Sequence, residues 1–361
     1  MSAWHTRAGL SDKLRGASGL LSVGPSAHFA VGMQPDELRR AVELASGVLG
    51  SCGLDATSRV VVALNNEGEL SGLIPALAAS QIAGGVASVG PRARLRTLRT
   101  IRKLSADTLI TTPCGALDLL AMAHGEHGLD PADLGLRRLV LIGEIVDKSR
   151  LRQLVYEFEC PVEMVCSDPL FGVPIAHGSP GKSLEPLETE AFVASLVDDD
   201  VLGSGLGELV LRPGWLANSA ELYRTGLVVS ADGSGRFSAP LHTVGDDLVV
   251  RGRWVNTPAL EDTLRVIDGI ANWSLVVSRP GTLDRAELIC RMSRQSLVAN
   301  PMWSARVSAA ARTAIASKVE VSLVAEDDGD QFPPGVVDLR GHHLGPDRSD
   351  AFKTLAASAV A

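Results

Sequence analysis

Between residues 36 and 166 the chain alternates two hydrophobic periods, and this alternation limits the possible folds more than any other feature. Residues 36–51 place Leu38, Val42, Leu44, Ala45 and Leu49 at helical spacing. Residues 59–64 (RVVVAL) then form a short β-branched run, the pattern of a strand buried on both faces. The same alternation continues with a helix over 70–83 closed by Gly84-Gly85, a strand over 86–89 and a basic amphipathic helix over 92–105. A strand over 107–112, a helix over 114–124, a strand Arg138–Ile142, a helix Lys148–Phe158 and a strand over 162–166 complete the series. Strands separated by whole helices cannot pair as hairpins. They need βαβ crossovers, which predicts an α/β class with a mostly parallel sheet.

The texture changes after residue 190. From 191 to 250 the runs are short, β-branched and punctuated by Gly and Asp, as antiparallel strands in a small β-rich part would be. Beyond Gly252 a helix is expected over 258–271, strands over 274–278 and 286–292, a helix over 301–317 and a strand over 319–325. With the strand ending at Arg251 this reads as βαββαβ, the ferredoxin-like order. The 361 residues exceed one typical core. The expected division is a body over 1–245 (α/β over 36–180, β-rich over 190–245), a smaller domain over 247–345, and a loosely held tail over 346–361. Asp246 stands at the boundary and reads as a hinge.

Charge and cysteine usage exclude several classes. The formal charge is −8 without a long basic run, so no nucleic-acid partner is expected. The apolar stretch 70–83 is broken by Ser71, Gly72, Pro75, Ser80 and Gln81, and the amino terminus has no signal-peptide core, so no membrane is expected either. Five scattered cysteines, none in a CxxC pair, fit buried thiols in a reduced cytoplasmic protein better than disulfides or zinc. Cys166 has no placeable histidine base and reads as one of these. His342-His343 reads as a solvated pair rather than a metal site.

Several motifs occur in a telling order. Residues 104–115 read LSADTLITTPCG, a strand ending in Thr-Pro before a helix. Gly128-Leu129-Asp130-Pro131 precedes RRLVLIG, which ends at Gly143. Gly207-Glu208-Leu209-Val210 precedes Tyr223-Arg224-Thr225-Gly226, and Asp246, Arg251-Gly252, Pro258 and Glu261-Asp262 follow. In this order the chain resembles the phenylacetate–CoA ligase branch of the adenylate-forming enzymes, over roughly residues 15–340. The resemblance implies a large α/β body, a small carboxyl-terminal lid domain, and ATP-dependent activation of a carboxylate with Mg²⁺ before transfer to CoA.

The positions that such chemistry requires are altered. Residues 16–25 (GASGLLSVGP) stand where the family has a hydroxyl-rich phosphate loop with a Lys; Ser18-Gly19 survives, but Leu20 and Leu21 cannot hydrogen-bond a triphosphate. Val165-Cys166-Ser167-Asp168-Pro169 puts Pro169 at the place of the Mg²⁺ glutamate, with Asp168 one residue earlier. Leu227 replaces the ribose-binding Asp, Thr243 the hinge-side Arg, and Pro334 or Gly335 the catalytic Lys of the lid. Asn65-Asn66-Glu67 stands where relatives carry aromatic pocket residues.

No catalytic or metal residue is therefore assigned, and no cofactor is certain, ATP–Mg²⁺ and CoA being those of the family. The candidate ligand site is the carboxyl end of the parallel strands, with Asn65, Gly143, Ser167, Asp168 and Phe171, approached by Tyr223, Arg224, Thr225 and Gly226. Arg224 needs an anionic partner, either a ligand or an internal Asp or Glu. Three functions stay open: a weak or non-adenylating binder of a small carboxylate or acyl group, or a partner protein; an active divergent ligase for an unusual acid; and a structural subunit. As partners, a homodimer or an associated enzyme is possible.

Overall fold

The computed structural model describes residues 4–13, 18–23, 30–66, 69–91, 94–187, 190–217, 221–315, 317–326 and 332–360. The chain divides into two compact units, the first running to Leu241 and the second beginning at His242.

In the first unit, β1 (His5–Thr6) and α1 (Arg7–Lys13) lead to a hairpin of β2 (Leu20–Val23) and β3 (Ala30–Met33). Then come α2 (Pro35–Ser51), β4 (Arg59–Ala63), α3 (Leu70–Ile82), β5 (Gly85–Ser88), α4 (Arg94–Leu104), β6 (Thr108–Thr111), α5 (Pro113–His127), β7 (Arg138–Ile142), α6 (Lys148–Phe158) and β8 (Val162–Ser167). This is the predicted alternation. β9 (Pro174–Gly178) and β10 (Glu185–Pro186) extend the sheet antiparallel, giving the order β10-β9-β8-β7-β6-β4-β5. Two helices start where the sequence supplies caps. Glu37 accepts from the Gln34 N–H at 2.8 Å ahead of α2, and Thr112 Oγ1 accepts from the Gly115 N–H at 3.0 Å ahead of α5. The central strands are covered on both faces, as their unbroken apolar runs require: Val60, Val61, Val62, Leu109, Ile110, Leu139, Val140 and Leu141 are all buried.

The β-rich part consists of β11 (Glu190–Ala194), β12 (Ser204–Arg212) and β13 (Tyr223–Asp232), paired antiparallel in that order. Its far edge is occupied by β1, which lies parallel to β13 with His5 opposite Tyr223 and Thr6 opposite Arg224. Two residues of strand carry no periodicity, so sequence reasoning had no signal for β1.

The second unit departs from the expected βαββαβ order. It contains β14 (His242–Thr243), β15 (Asp247–Val250), β16 (Arg253–Asn256), α7 (Thr257–Arg265), β17 (Ile270–Ser278), β18 (Arg285–Met292), α8 (Gln295–Val298), α9 (Pro301–Ala314), β19 (Val319–Ala325), β20 (Gly335–Asp338) and α10 (Arg348–Val360). The strand ending near Arg251 does not enter the four-stranded sheet. It turns back at once on β16, because Arg251 and Gly252 both adopt positive φ (54° and 71°), the geometry of a two-residue hairpin turn. The sheet order is β19-β18-β17-β20, with the unpredicted β20 lying parallel to β17. α7 ends at Arg265 rather than 271, since Gly269 (φ 90°) redirects the chain into β17. The expected loose tail is instead α10, anchored by the fully buried Ala351. Leu260 and Leu264 of α7 and Val307 and Ala311 of α9 join Leu275, Val277, Leu288 and Cys290 of the sheet in one apolar core.

Beside that core lies a buried ionic network. Arg279 Nε meets Asp284 Oδ1 at 2.6 Å, Arg340 Nη1 meets Asp284 Oδ2 at 2.7 Å, and Arg340 Nη2 meets Asp338 Oδ2 at 2.8 Å. The backbone N–H of Arg251 adds a hydrogen bond to Asp284 at 3.0 Å. Burial alone would raise the Asp284 carboxyl, but Arg279 and Arg340 outweigh it and hold the group below the usual carboxylate range.

Candidate functional site

The turn after β8 is built by Asp168. Its Oδ1 accepts the N–H groups of Leu170 (2.8 Å) and Phe171 (2.6 Å), an Asx-type turn that lets the chain reverse through Pro169 into β9. The Asp168 carbonyl accepts from the Gly172 N–H at 2.8 Å. Gly172 sits at φ 68°, where a Cβ would lie 2.5 Å from the backbone of Ser71, so the turn packs directly on the start of α3. The other carboxylate oxygen, Oδ2, accepts a short hydrogen bond from the Tyr223 hydroxyl. Arg7 of α1 donates to the Pro169 carbonyl at 3.3 Å.

Both members of the Asp168–Tyr223 pair are fully buried. Burial raises the Asp168 carboxyl, opposed by the Tyr223 hydroxyl, the two turn N–H groups and the charge of Arg7. Burial, with the neighbouring carboxylate, also pushes the Tyr223 phenol well above its ordinary value, so it remains a donor. Cys166, one strand position from Ser167, is pushed up to about 12 by burial and then by Asp168. It is a protonated, inert thiol rather than a nucleophile. The neighbouring Ser167 hydroxyl is buried and has no hydrogen-bond partner among the described residues.

The other strand ends are equally well defined. Gly143, after β7, takes φ 87°, and the space where its Cβ would stand is open. The next residue, Glu144, is 8% exposed and accepts the Cys114 N–H at 2.7 Å in the first turn of α5, where a carboxylate complements the helix amino terminus. Sequence reasoning missed Glu144, although an acid directly after a strand-end glycine was a usable signal. Asn65, after β4, donates to Glu69 Oε1 at 3.0 Å, and its carbonyl accepts from Ser71 Oγ at 3.3 Å.

Arg224 does not join this group. Successive residues of β13 point to opposite faces, so Tyr223 reaches Asp168 while Arg224 turns away from it. Its guanidinium donates to Glu208 Oε2 (2.9 Å), Asp199 Oδ1 (3.0 Å), the Ser195 carbonyl (3.0 Å) and the Asp198 carbonyl, and it stacks 5.2 Å from the ring of Trp4. The anionic partner is thus internal. Glu208 is completely buried, and its second oxygen accepts the Gly226 N–H at 2.9 Å. Thr225 Oγ1 donates to the Leu209 carbonyl at 2.8 Å. Tyr223 to Gly226 therefore tie β13 to β12 and to the turn after β11. Glu208 stood inside a quoted motif, but only the register of β12 on β13 revealed its role.

Other positions singled out in the sequence are placed as well. Leu20 and Leu21 lie in the β2–β3 hairpin, paired with Met33 and Gly32, and Ser18 Oγ accepts from Gln34 Nε2 at 2.5 Å. Residues 16–17, 24–25 and 67 lie outside the described residues. Leu227 is buried at 6% exposure. In the second unit the Asp246 carbonyl accepts the Thr257 N–H at 2.9 Å and opens α7, while burial and then Asp247 raise its carboxyl. His342-His343 is not the solvated pair expected. His342 is buried, and His343 Nδ1 lies 2.9 Å from Thr243 Oγ1, with burial pushing its ring down to about 4. The strand-like pairing of Thr243 with His343 buries what an isolated polar sequence would expose.

No protein-family model and no curated protein sequence matches the chain. Solved structures do. A 2-hydroxyisobutyryl-CoA ligase in complex with 2-HIB-AMP and CoA superposes with a TM-score of 0.76 at 16% identity, covering 92% of this chain and 73% of that one. The amide bond synthetase McbA from Marinactinospora thermotolerans gives a TM-score of 0.64 at 15% identity, covering 87% and 66%. An o-succinylbenzoate CoA synthetase (MenE) from Bacillus subtilis gives 0.62 at 15% identity, with coverages of 87% and 66%. No helix among the described residues is long and apolar enough to cross a membrane. At these identities what is shared is architecture, and the chain has the fold of the adenylate-forming enzymes.

Proposed function

We propose that this chain uses the adenylate-forming fold without efficient carboxylate adenylation, and holds a small carboxylate or acyl group at the strand ends of its first unit. The observation that carries this reading is the state of Asp168. It is the acid nearest the place of the family's Mg²⁺ glutamate, and both its oxygens are engaged by Tyr223, Leu170 and Phe171. Arg224 is likewise committed to Glu208 and Asp199, and Leu227 offers a ribose no acceptor. Each charge-assisted contact missing from a nucleotide site removes roughly 1.5–3 kcal/mol, so losing three takes away roughly 4.5–9 kcal/mol, against the roughly 8 kcal/mol of a micromolar complex. The open space at Gly143 and the unpartnered Ser167 hydroxyl support a ligand at the same strand ends. The motif order supports a place in the phenylacetate–CoA ligase branch.

Carboxylate-dependent ATP–pyrophosphate exchange should stay at background with simple aryl and acyl acids. Thermal shift should show no stabilisation by ATP–Mg²⁺ or AMP but a rise with short acyl-CoA or free acids. Robust exchange with any acid would overturn the non-adenylating reading in favour of a divergent ligase. Loss of the acyl-dependent rise in wild-type protein would remove the ligand from it.

A further inference from the structure

The basic helix singled out in the sequence plays no part in the site above. α4 buries Thr97, Leu98 and Ile101 against the parallel sheet, and its opposite face carries Arg96, Arg99, Arg102 and Lys103, all exposed. At 3.6 residues per turn these four cations and Leu95 fall on one outward stripe. Arg59, at the start of β4, donates to the Leu104 carbonyl at 3.0 Å and adds a fifth cation at the helix end. Among the described residues no acid pairs with Arg96, Arg99, Arg102 or Lys103. Arg94, on the flank, meets Asp118 at 3.3 Å and Glu126 at 3.4 Å, so acids are present beside the helix and stop short of the stripe. The helix dipole accounts for Arg102 and Lys103 in the last turn but not for Arg96 and Arg99. In a chain of net charge −8, an unneutralised stripe of this kind is a local reversal of the surface field.

We infer that the outward face of α4 docks an acidic surface of a partner protein. One apolar side chain decides between anionic partners. Leu95 lies between Arg99 and Arg102 around the helix, at 39% exposure. A protein interface wants such apolar contacts inside a charged rim, whereas a phosphate backbone does not. The stripe is one helix of 11 residues, too short a track for the several phosphate contacts that nucleic acid needs against an acidic protein. An anionic membrane would require the apolar face outward, and that face is buried. The inference is independent of the proposed ligand site, since none of its residues lies at the carboxyl ends of the strands.

The test uses the full chain and a labelled amphipathic peptide of roughly 20 residues carrying Glu and Leu on one helical face. Fluorescence anisotropy at low salt should show binding that weakens steeply with added salt. The triple variant Arg96→Glu, Arg99→Glu, Lys103→Glu should weaken it by about tenfold or more. Leu95→Ser should weaken it with little change in salt dependence. Glu is as good a helix former as Arg or Lys, so circular dichroism should be unchanged; if the triple variant unfolds, Arg99→Gln with Lys103→Gln takes its place. No binding by the wild type, or binding indifferent to these variants, would overturn the inference. Stronger binding of duplex DNA or phosphatidylserine vesicles through the same residues would also overturn it, as would self-association by sedimentation that the triple variant abolishes.

Discussion

Asp168 in the first unit and Asp284 in the second are both about 1% exposed, yet they behave as opposites. Asp284 is surrounded by arginines and stays ionised below the ordinary range, while Asp168 meets a phenol and two amides and is shifted upward. The difference shows that burial sets the direction of a carboxyl shift unless cations outweigh it, as Arg279 and Arg340 do for Asp284 and the weaker pull of Arg7 does not for Asp168. An acid with cations on both sides is a fixed charge in a structural network. One held by neutral donors is a turn-builder whose charge the fold tolerates less well.

The largest break in this comparison should come from Asp284→Ala. It would leave Arg279 and Arg340 buried with too little negative charge, and urea unfolding should show a loss of about 3–5 kcal/mol. Arg224→Ala should follow, at about 3 kcal/mol, because Glu208 would be left fully buried without its cationic partner, while Asp199, one-third exposed, would recover solvent. An unchanged stability with lost acyl-CoA binding would instead make Arg224 a ligand residue. Tyr223→Phe should cost less, about 1–3 kcal/mol, since it removes one neutral donor and leaves Asp168 Oδ2 unsatisfied.

The smallest effect sharpens the contrast by its sign. Asp168 titrates higher in the folded than in the unfolded chain. Its contribution is present below the ordinary carboxylate range and is lost as pH rises through the folded-state value. Asp284 titrates lower when folded. Its contribution is present above the ordinary range and is lost as pH falls through the depressed value. Stability measured across the acid range should therefore steepen on the acid side for Asp168→Asn and flatten for Asp284→Asn, each relative to wild type. Parallel profiles for the two variants would refute the opposition.

Much of the fold was legible because burial on both faces writes itself into a strand. RVVVAL and RRLVLI read as buried strands, and Thr112-Pro113 marks the passage from a strand into a helix that Thr112 caps. For the candidate site, position along the strands was legible and partnership was not. Asn65, Gly143, Ser167 and Asp168 do lie at strand ends, but their hydrogen bonds run to Glu69, Tyr223 and backbone groups that no local pattern specifies.

What the sequence determined by itself was the parallel core and the alternation of its strands and helices. These depend on residue chemistry and on spacings within one or two turns of chain. Only the tertiary structure decided that Arg251-Gly252 closes a hairpin, that β20 completes the second sheet and that residues 348–360 form a helix anchored at Ala351. It alone decided that Arg224 turns to Glu208 while Tyr223 turns to Asp168. Such choices rest on long-range packing. Arg224 meets Glu208 across the β12–β13 pairing, 16 residues apart, and Tyr223 meets Asp168 from another sheet, 55 residues apart, separations over which sequence periodicity carries no information.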